Sequence, residues 1–157
     1  MFNRNLLLEL EKWRLSKNRK PLVIRGARQV GKTTLVNQFA KQYDQYIYLN
    51  LELVEDKAPF ENFSSIDFLI TTLFFLKNKS LSKKTNTLLF IDEMIDNGLD
   101  TQGVESALGL LKQMSRERHK SIWLVSHRDE LAGRVENILK VIKENGFTSY
   151  NTDIDVA

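Results

Sequence analysis

Eight consecutive residues, Gly26-Ala27-Arg28-Gln29-Val30-Gly31-Lys32-Thr33, have the types and spacing to do chemistry. They fit the pattern G-x-x-x-x-G-K-[ST], a loop that cradles phosphate. Its glycines let the backbone turn and bring N–H groups onto phosphate oxygens. The helix expected to start there adds a partial positive charge. Lys32 suits the β- and γ-phosphates, and the Thr33 hydroxyl suits Mg²⁺. Thr34 completes the set of nucleotide-contacting candidates. The ligand implied is a nucleoside triphosphate, ATP with Mg²⁺. The plainer reading is a glycine-containing turn with a surface lysine. The context argues against it, because an apolar strand precedes the pattern and an amphipathic helix follows.

A second group lies at Asp92-Glu93, directly after the apolar run Thr87–Ile91. Asp92 can hold Mg²⁺ through a water, and Glu93 is placed to orient and deprotonate the attacking water. An acidic pair after a strand is weak by itself and commonly is solvated loop charge. The phosphate loop gives it meaning. His127 follows a fourth apolar run, Ser121–Val125, at the mouth where a γ-phosphate should lie, and suits γ-phosphate sensing. Its bland alternative is a surface or capping histidine. His119, in a charged loop, is assigned nothing.

These residues need a scaffold that brings strand ends together. Leu6, Leu7, Leu10 and Trp13 share one face of a helix over about 5–15. Leu22-Val23-Ile24 is a buried strand, and a helix from Lys32 to about Tyr43 turns Leu35, Val36 and Phe39 inward. Tyr46–Leu51 is a second strand. Glu55–Asn62 reads as a loop marked by Pro59. Ser64 or Ser65 caps an apolar helix to about Lys79, and Lys77–Asn86 is a polar connection. Thr87–Ile91 is the third strand. Beyond a loop at 95–100, Thr101 caps a helix to about Arg116. Ser121–Val125 is the fourth strand, followed by a short helix from about Asp129. Asn145-Gly146 joins Ile138–Lys143 to Phe147–Tyr150 as a hairpin. Alternating strands and helices call for an α/β fold with a mostly parallel sheet. Ligands bind at the carboxyl ends of such strands, where all three polar clusters fall.

The chain has 157 residues, 42% of them hydrophobic and 27% charged, which suits one domain with a real core. It has no cysteine, which excludes disulfides and thiolate metal sites and fits a reducing, cytoplasmic setting. The apolar stretch Ile66–Leu76 is about half the length needed to span a bilayer and contains Asp67, so no membrane role is expected. Its burial on the sheet is one reading, and a patch that seeks a partner is the other. The net charge of +3 permits contact with DNA without arguing for it.

The motifs resemble P-loop ATPases with a catalytic glutamate after the Mg²⁺ aspartate. Two resemblances divide the chain. Residues 1–91 are similar to the AAA+-like ATPase domain of a widespread bacterial and archaeal family. The carriers are Arg19–Thr33, containing R-G-A-R-Q-V-G-K-T, then Tyr48-Leu49-Asn50-Leu51-Glu52 and Leu89-Phe90-Ile91-Asp92-Glu93. Residues 92–152 resemble the C-terminal end of the SMC-like ATPase subunit of phage recombination endonucleases, a branch of the SMC/ABC class. There the carriers are Ile91–Asp100, Val125–Leu131 and Lys143–Phe147.

The resemblance implies a three-layer P-loop NTPase with sheet order 5-1-4-3-2 and a C-terminal hairpin. It also implies contact of the loop ending at Asp100 with a partner protomer, and of His127 with the γ-phosphate. The whole chain would be one domain, with 153–157 a tail. Two parents meeting at Asp92-Glu93 suggest a chimera, and a single small ATPase is the alternative. The SMC-like signature L-S-G-G is absent, since Leu81-Ser82 is followed by Lys83-Lys84. No arginine finger can be named among Arg116, Arg118, Arg128 and Arg134. The expected activity is therefore weak ATP hydrolysis. The alternatives are a nucleotide- or phosphate-binding module without efficient hydrolysis, and the ATPase component of a DNA-repair or recombination complex. A homodimer or a larger ATPase partner would supply the missing groups.

Overall fold

The computed structural model describes residues 4–92, 101–126 and 133–154. Its elements are α1 (Arg4–Leu15), β1 (Leu22–Arg25), α2 (Lys32–Phe39), β2 (Gln45–Asn50), α3 (Val54–Glu61), α4 (Ile66–Leu76), β3 (Thr87–Asp92), α5 (Thr101–Arg118), β4 (Ser121–Ser126), β5 (Asn137–Glu144) and β6 (Phe147–Asp153). Short 3-10 turns at Ala40–Gln42 and Leu81–Asn86 lead into β2 and β3.

One six-stranded sheet has the order β2-β3-β4-β1-β5-β6. Read from the other edge, this is the expected 5-1-4-3-2 with a sixth strand added outside β5. The first five strands run parallel, and β6 is antiparallel to β5. Asn145 and Gly146 both have positive φ, at 52° and 81°, as a two-residue hairpin turn of the primed type requires.

Strict alternation along the central strands builds two cores. Leu22, Ile24, Leu88, Phe90, Trp123, Val125, Leu139 and Val141 face α1 and α2. Val23, Leu89, Ile91, Ile122 and Leu124 face α4 and α5. Side chains two residues apart share a face of a pleated strand, so each apolar run serves both layers. On the first face Trp123 stacks on Phe39, with centroids 4.8 Å apart and planes at 5°, and Trp13 lies 6.0 Å away. The Trp13 indole N–H donates to the Lys20 carbonyl at 2.9 Å, tying α1 to the approach to β1.

Two elements depart from the sequence reading. The segment expected as a loop over Glu55–Asn62 is helical through Glu61, despite Pro59 inside it. Proline removes one backbone donor, but α3 is anchored elsewhere. Asp56 is buried, accepts the Asn50 N–H at 2.9 Å and pairs with Lys77 Nζ at 2.5 Å. The helix from Lys32 stops at Phe39 and tightens to a 3-10 turn before Tyr43. Ser65, not Ser64, caps α4, accepting the Phe68 N–H at 3.1 Å. That helix buries Leu69, Ile70, Leu73 and Phe74 and leaves Phe68 and Phe75 exposed, so the sheet covers one stripe of it and not the other. The loop at 95–100 and the short helix expected from Asp129 lie outside the described residues.

Candidate nucleotide site

β1 delivers the chain to Gly26, and the turn that follows depends on three unusual backbone conformations. Gly26 has φ 154°, Gln29 φ 61° and Gly31 φ 99°. At Gly26 the loop passes against β5, and a Cβ there would stand 2.5 Å from the Val141 carbonyl oxygen and 3.1 Å from Val30 Cγ2. Val30 is buried in the α1–α2 core and pins the middle of the loop. Ala27, Arg28 and Gln29 are exposed around it.

Lys32 opens α2 and is buried at 7% exposure. Its ammonium donates to the carbonyls of Gly26 at 2.8 Å and Ala27 at 2.6 Å, folding back across the loop it belongs to. A lysine in this posture keeps its charge over the loop's concavity, where phosphate would sit. No side chain caps α2 at Gly31, and no acidic residue occupies its first turn. First-turn N–H groups at such a terminus attract anions. Thr33 and Thr34 are exposed in that turn.

β3 ends at Asp92, half-buried, in register with Asn50 of β2. The Tyr48 hydroxyl donates to Asp92 Oδ2 at 3.1 Å. Tyr46, behind it, is held neutral: burial pushes its pKa well up, and Tyr48 and Asp92 add to the effect. Tyr48 was missed in the sequence. The signal was its parity with Asn50 on β2 and with Phe90 and Asp92 on β3, which becomes readable only with the Tyr48↔Phe90 register. Glu93 and His127 lie outside the described residues. Arg25 and Ser126, the last residues of neighbouring β1 and β4, are paired in register, so β4 ends beside the start of the phosphate loop.

Thr33 at the start of α2 and Asp92 at the end of β3 carry oxygen donors of the kind a hard cation takes. Among the described residues no three His, Cys, Asp or Glu side chains gather into a metal cluster. Mg²⁺ in phosphate sites needs no such cage, since one or two protein oxygens suffice beside phosphates and waters. Thr33 and Asp92 can provide them.

A family model for the AAA domain (AAA_14) matches residues 18–140. The chain belongs to the AAA domain family. The match covers both strands that end at the site and continues past Asp92 into β5. Over 55 residues this AAA domain is 38% identical to the lipoprotein-releasing system ATP-binding protein LolD 1 of Rhodopseudomonas palustris, a stretch that is 35% of this chain and 24% of that protein. The C. elegans PCH-2 structure superposes with a TM-score of 0.56 at 18% identity, covering 89% of this chain and 44% of that one. That likeness is one of fold, a mostly parallel sheet with helices on both faces. The SMC head bound to the C-winged helix domain of ScpA is a looser match, with a TM-score of 0.38, 19% identity and coverage of 54% and 23%. This AAA domain thus spans about a quarter of the curated relative it matches and under half of PCH-2. Among its described residues no helix is long and apolar enough to cross a membrane.

Proposed function

We propose that this AAA domain binds MgATP at Gly26–Thr34 and hydrolyses it slowly. The observation that carries the reading is Lys32, buried at the start of α2 with its ammonium on the Gly26 and Ala27 carbonyls. Membership of the AAA domain family and the partial likeness to an ATP-binding protein support the same ligand. Backbone N–H groups from Gly26 to Thr34 would hold the phosphates, with Lys32 between the β- and γ-phosphates. Thr33 and Asp92 would hold Mg²⁺, which when bound neutralises charge on the phosphate oxygens.

Glu93 would take a proton from water as its oxygen attacks the γ-phosphorus. The bond from that phosphorus to the β,γ-bridging oxygen breaks, leaving ADP and phosphate. His127 would contact the γ-phosphate. Both assignments rest on sequence position. Turnover is slow because related enzymes gain on the order of a thousandfold or more from a partner's arginine, and this chain names none. A homodimer or larger ATPase partner is the source we assign to it. We read residues 1–157 as one domain, an assignment supported by β4 lying between β3 and β1 in a single sheet.

Calorimetric titration with MgATP, with phosphate release followed in parallel, tests the reading. Wild type should bind, and Lys32→Ala should bind about ten- to a hundredfold more weakly, the worth of a charge-assisted hydrogen bond. Glu93→Gln should keep binding and lose turnover. Equal affinity in Lys32→Ala would sink the site. Binding with no phosphate release above the Lys32→Ala background would leave a nucleotide-binding module without efficient hydrolysis.

A further inference from the structure

The end of the sheet opposite the phosphate loop is basic, and the proposed reaction uses none of its cations. Lys17-Asn18-Arg19-Lys20 leads into β1, Lys83-Lys84 into β3, and Arg116-Glu117-Arg118-His119-Lys120 into β4. Three cations in the first loop, two in the second and three against one glutamate in the third make a formal +7, where the whole chain carries +3. Of these, Arg118 is neutralised by a bidentate pair with Asp67 at 2.8 Å, and Arg116 makes a longer, exposed pair with Glu117 at 3.7 Å.

Hydrogen bonds join the three loops into one surface. Arg19 donates to the Ser121 hydroxyl at 2.8 Å and to the His119 carbonyl, and the Ser115 hydroxyl donates to the Arg19 carbonyl at 2.5 Å. Lys120 Nζ donates to the Lys84 carbonyl at 2.7 Å. Lys17, Lys20, Lys83, Lys84 and Arg116 are exposed on this surface. Between the first loop and the end of α5 lies a cleft of about 360 Å³, lined by Arg19, Lys20, Lys112, Ser115, Arg116 and Glu136 among others. The surplus charge is felt inside the protein. Burial first, then repulsion from Lys84 and Arg19, brings the Lys120 pKa down to about 8.

We propose that this face binds the phosphodiester backbone of a nucleic acid without reading its bases. Cations spread over three loops match a polyanion with regularly repeated charge better than a single small anion. No aromatic ring lines the cleft, so it offers no stacking platform for bases. Apart from Pro21, its lining side chains, those named above and Asn18, are charged or polar. The face stands at the far end of the strands from Lys32, so it does not depend on the nucleotide reading.

Fluorescence anisotropy of labelled mixed-sequence oligonucleotides, single-stranded and duplex, titrated with the full chain without nucleotide, tests it. Four phosphate contacts, by Lys17, Lys20, Lys84 and Arg116, give a single-strand salt slope of about −2.8, hence a roughly fiftyfold loss of affinity from 50 to 200 mM salt. Replacing Lys20 and Arg116 by Gln should halve the slope, leaving a loss of about sevenfold. Lys143→Gln, on the exposed hairpin, should match wild type. No binding at 50 mM salt overturns the proposal, as does an equal effect of Lys143→Gln. Displacement by polyglutamate as readily as by oligonucleotide at equal charge also overturns it and points to an acidic protein partner.

Discussion

Replacing Gly26 by Ala adds one methyl group where the phosphate loop leaves β1. The new carbon would stand 2.5 Å from the Val141 carbonyl oxygen, a backbone atom that no rotamer change can move aside. It would also force an L side chain onto φ 154°. Overpacking costs about 1–3 kcal/mol and an unfavourable φ about 1–3 kcal/mol, and one backbone shift relieves part of both, so the expected loss is about 2–4 kcal/mol. At about 2–4 °C per kcal/mol for a chain of this size, the melting midpoint falls on the order of 10 °C. Gly31→Ala is the internal comparison. Its φ is 99°, yet nothing lies within 4 Å of the added carbon, so only the conformational cost of about 1–2 kcal/mol applies. Thermal denaturation followed by circular dichroism, with MgATP titration of both variants, reads the difference. If Gly26→Ala melts within about 2 °C of wild type, or no lower than Gly31→Ala, the loop is not seated against β5 as described.

Tyr48→Phe removes the donor to Asp92 Oδ2 and should weaken Mg²⁺-dependent ATP binding by about tenfold or less, the net worth of one hydrogen bond; binding measured with and without Mg²⁺ should show the loss only with the metal. Trp123→Ala deletes the ring stacked on Phe39 and should cost about 3–5 kcal/mol in chemical denaturation. Lys120 has a pKa of about 8 in the fold against an ordinary 10.5, so the folded protein binds fewer protons between those values than the unfolded chain does. Its destabilising effect is full below pH 8 and fades as pH rises towards 10.5. Lys120→Met should therefore gain most over wild type near pH 7, and melting curves should show that gain shrinking by pH 10.

The strand plan was legible because its cause is local. Runs such as Leu88-Leu89-Phe90-Ile91 are apolar at every position, short, and bounded by polar segments, as a strand buried on both faces requires. The loop at Gly26–Thr33 was legible because few backbones other than a strand-to-helix turn tolerate that glycine spacing. Helix α3 was not legible. Pro59 is a sound local signal for a break, and it lost to a buried Asp56 whose partners, Asn50 and Lys77, lie outside the segment. Tyr48 was hidden for a related reason, since its partner is fixed by strand register and not by sequence distance. In the sequence the basic end of the sheet is dispersed over widely separated segments, at Lys17–Lys20, Lys83-Lys84 and Arg116–Lys120. Only the fold, which starts parallel strands at one end, makes them neighbours.

The placement of β4 between β1 and β3 has a consequence for how the site comes into being during synthesis. Both Lys32 and Asp92 have been made once the chain reaches residue 92, but β1 and β3 do not touch each other. They acquire a fixed separation only when Ser121–Ser126 slots between them, pairing with Leu22–Arg25 on one side and Leu88–Ile91 on the other. A nascent chain stalled short of that strand would leave both edges of β1 and one edge of β3 open and hold no assembled site. On the ribosome, the proposed MgATP site would therefore be assembled in one late step.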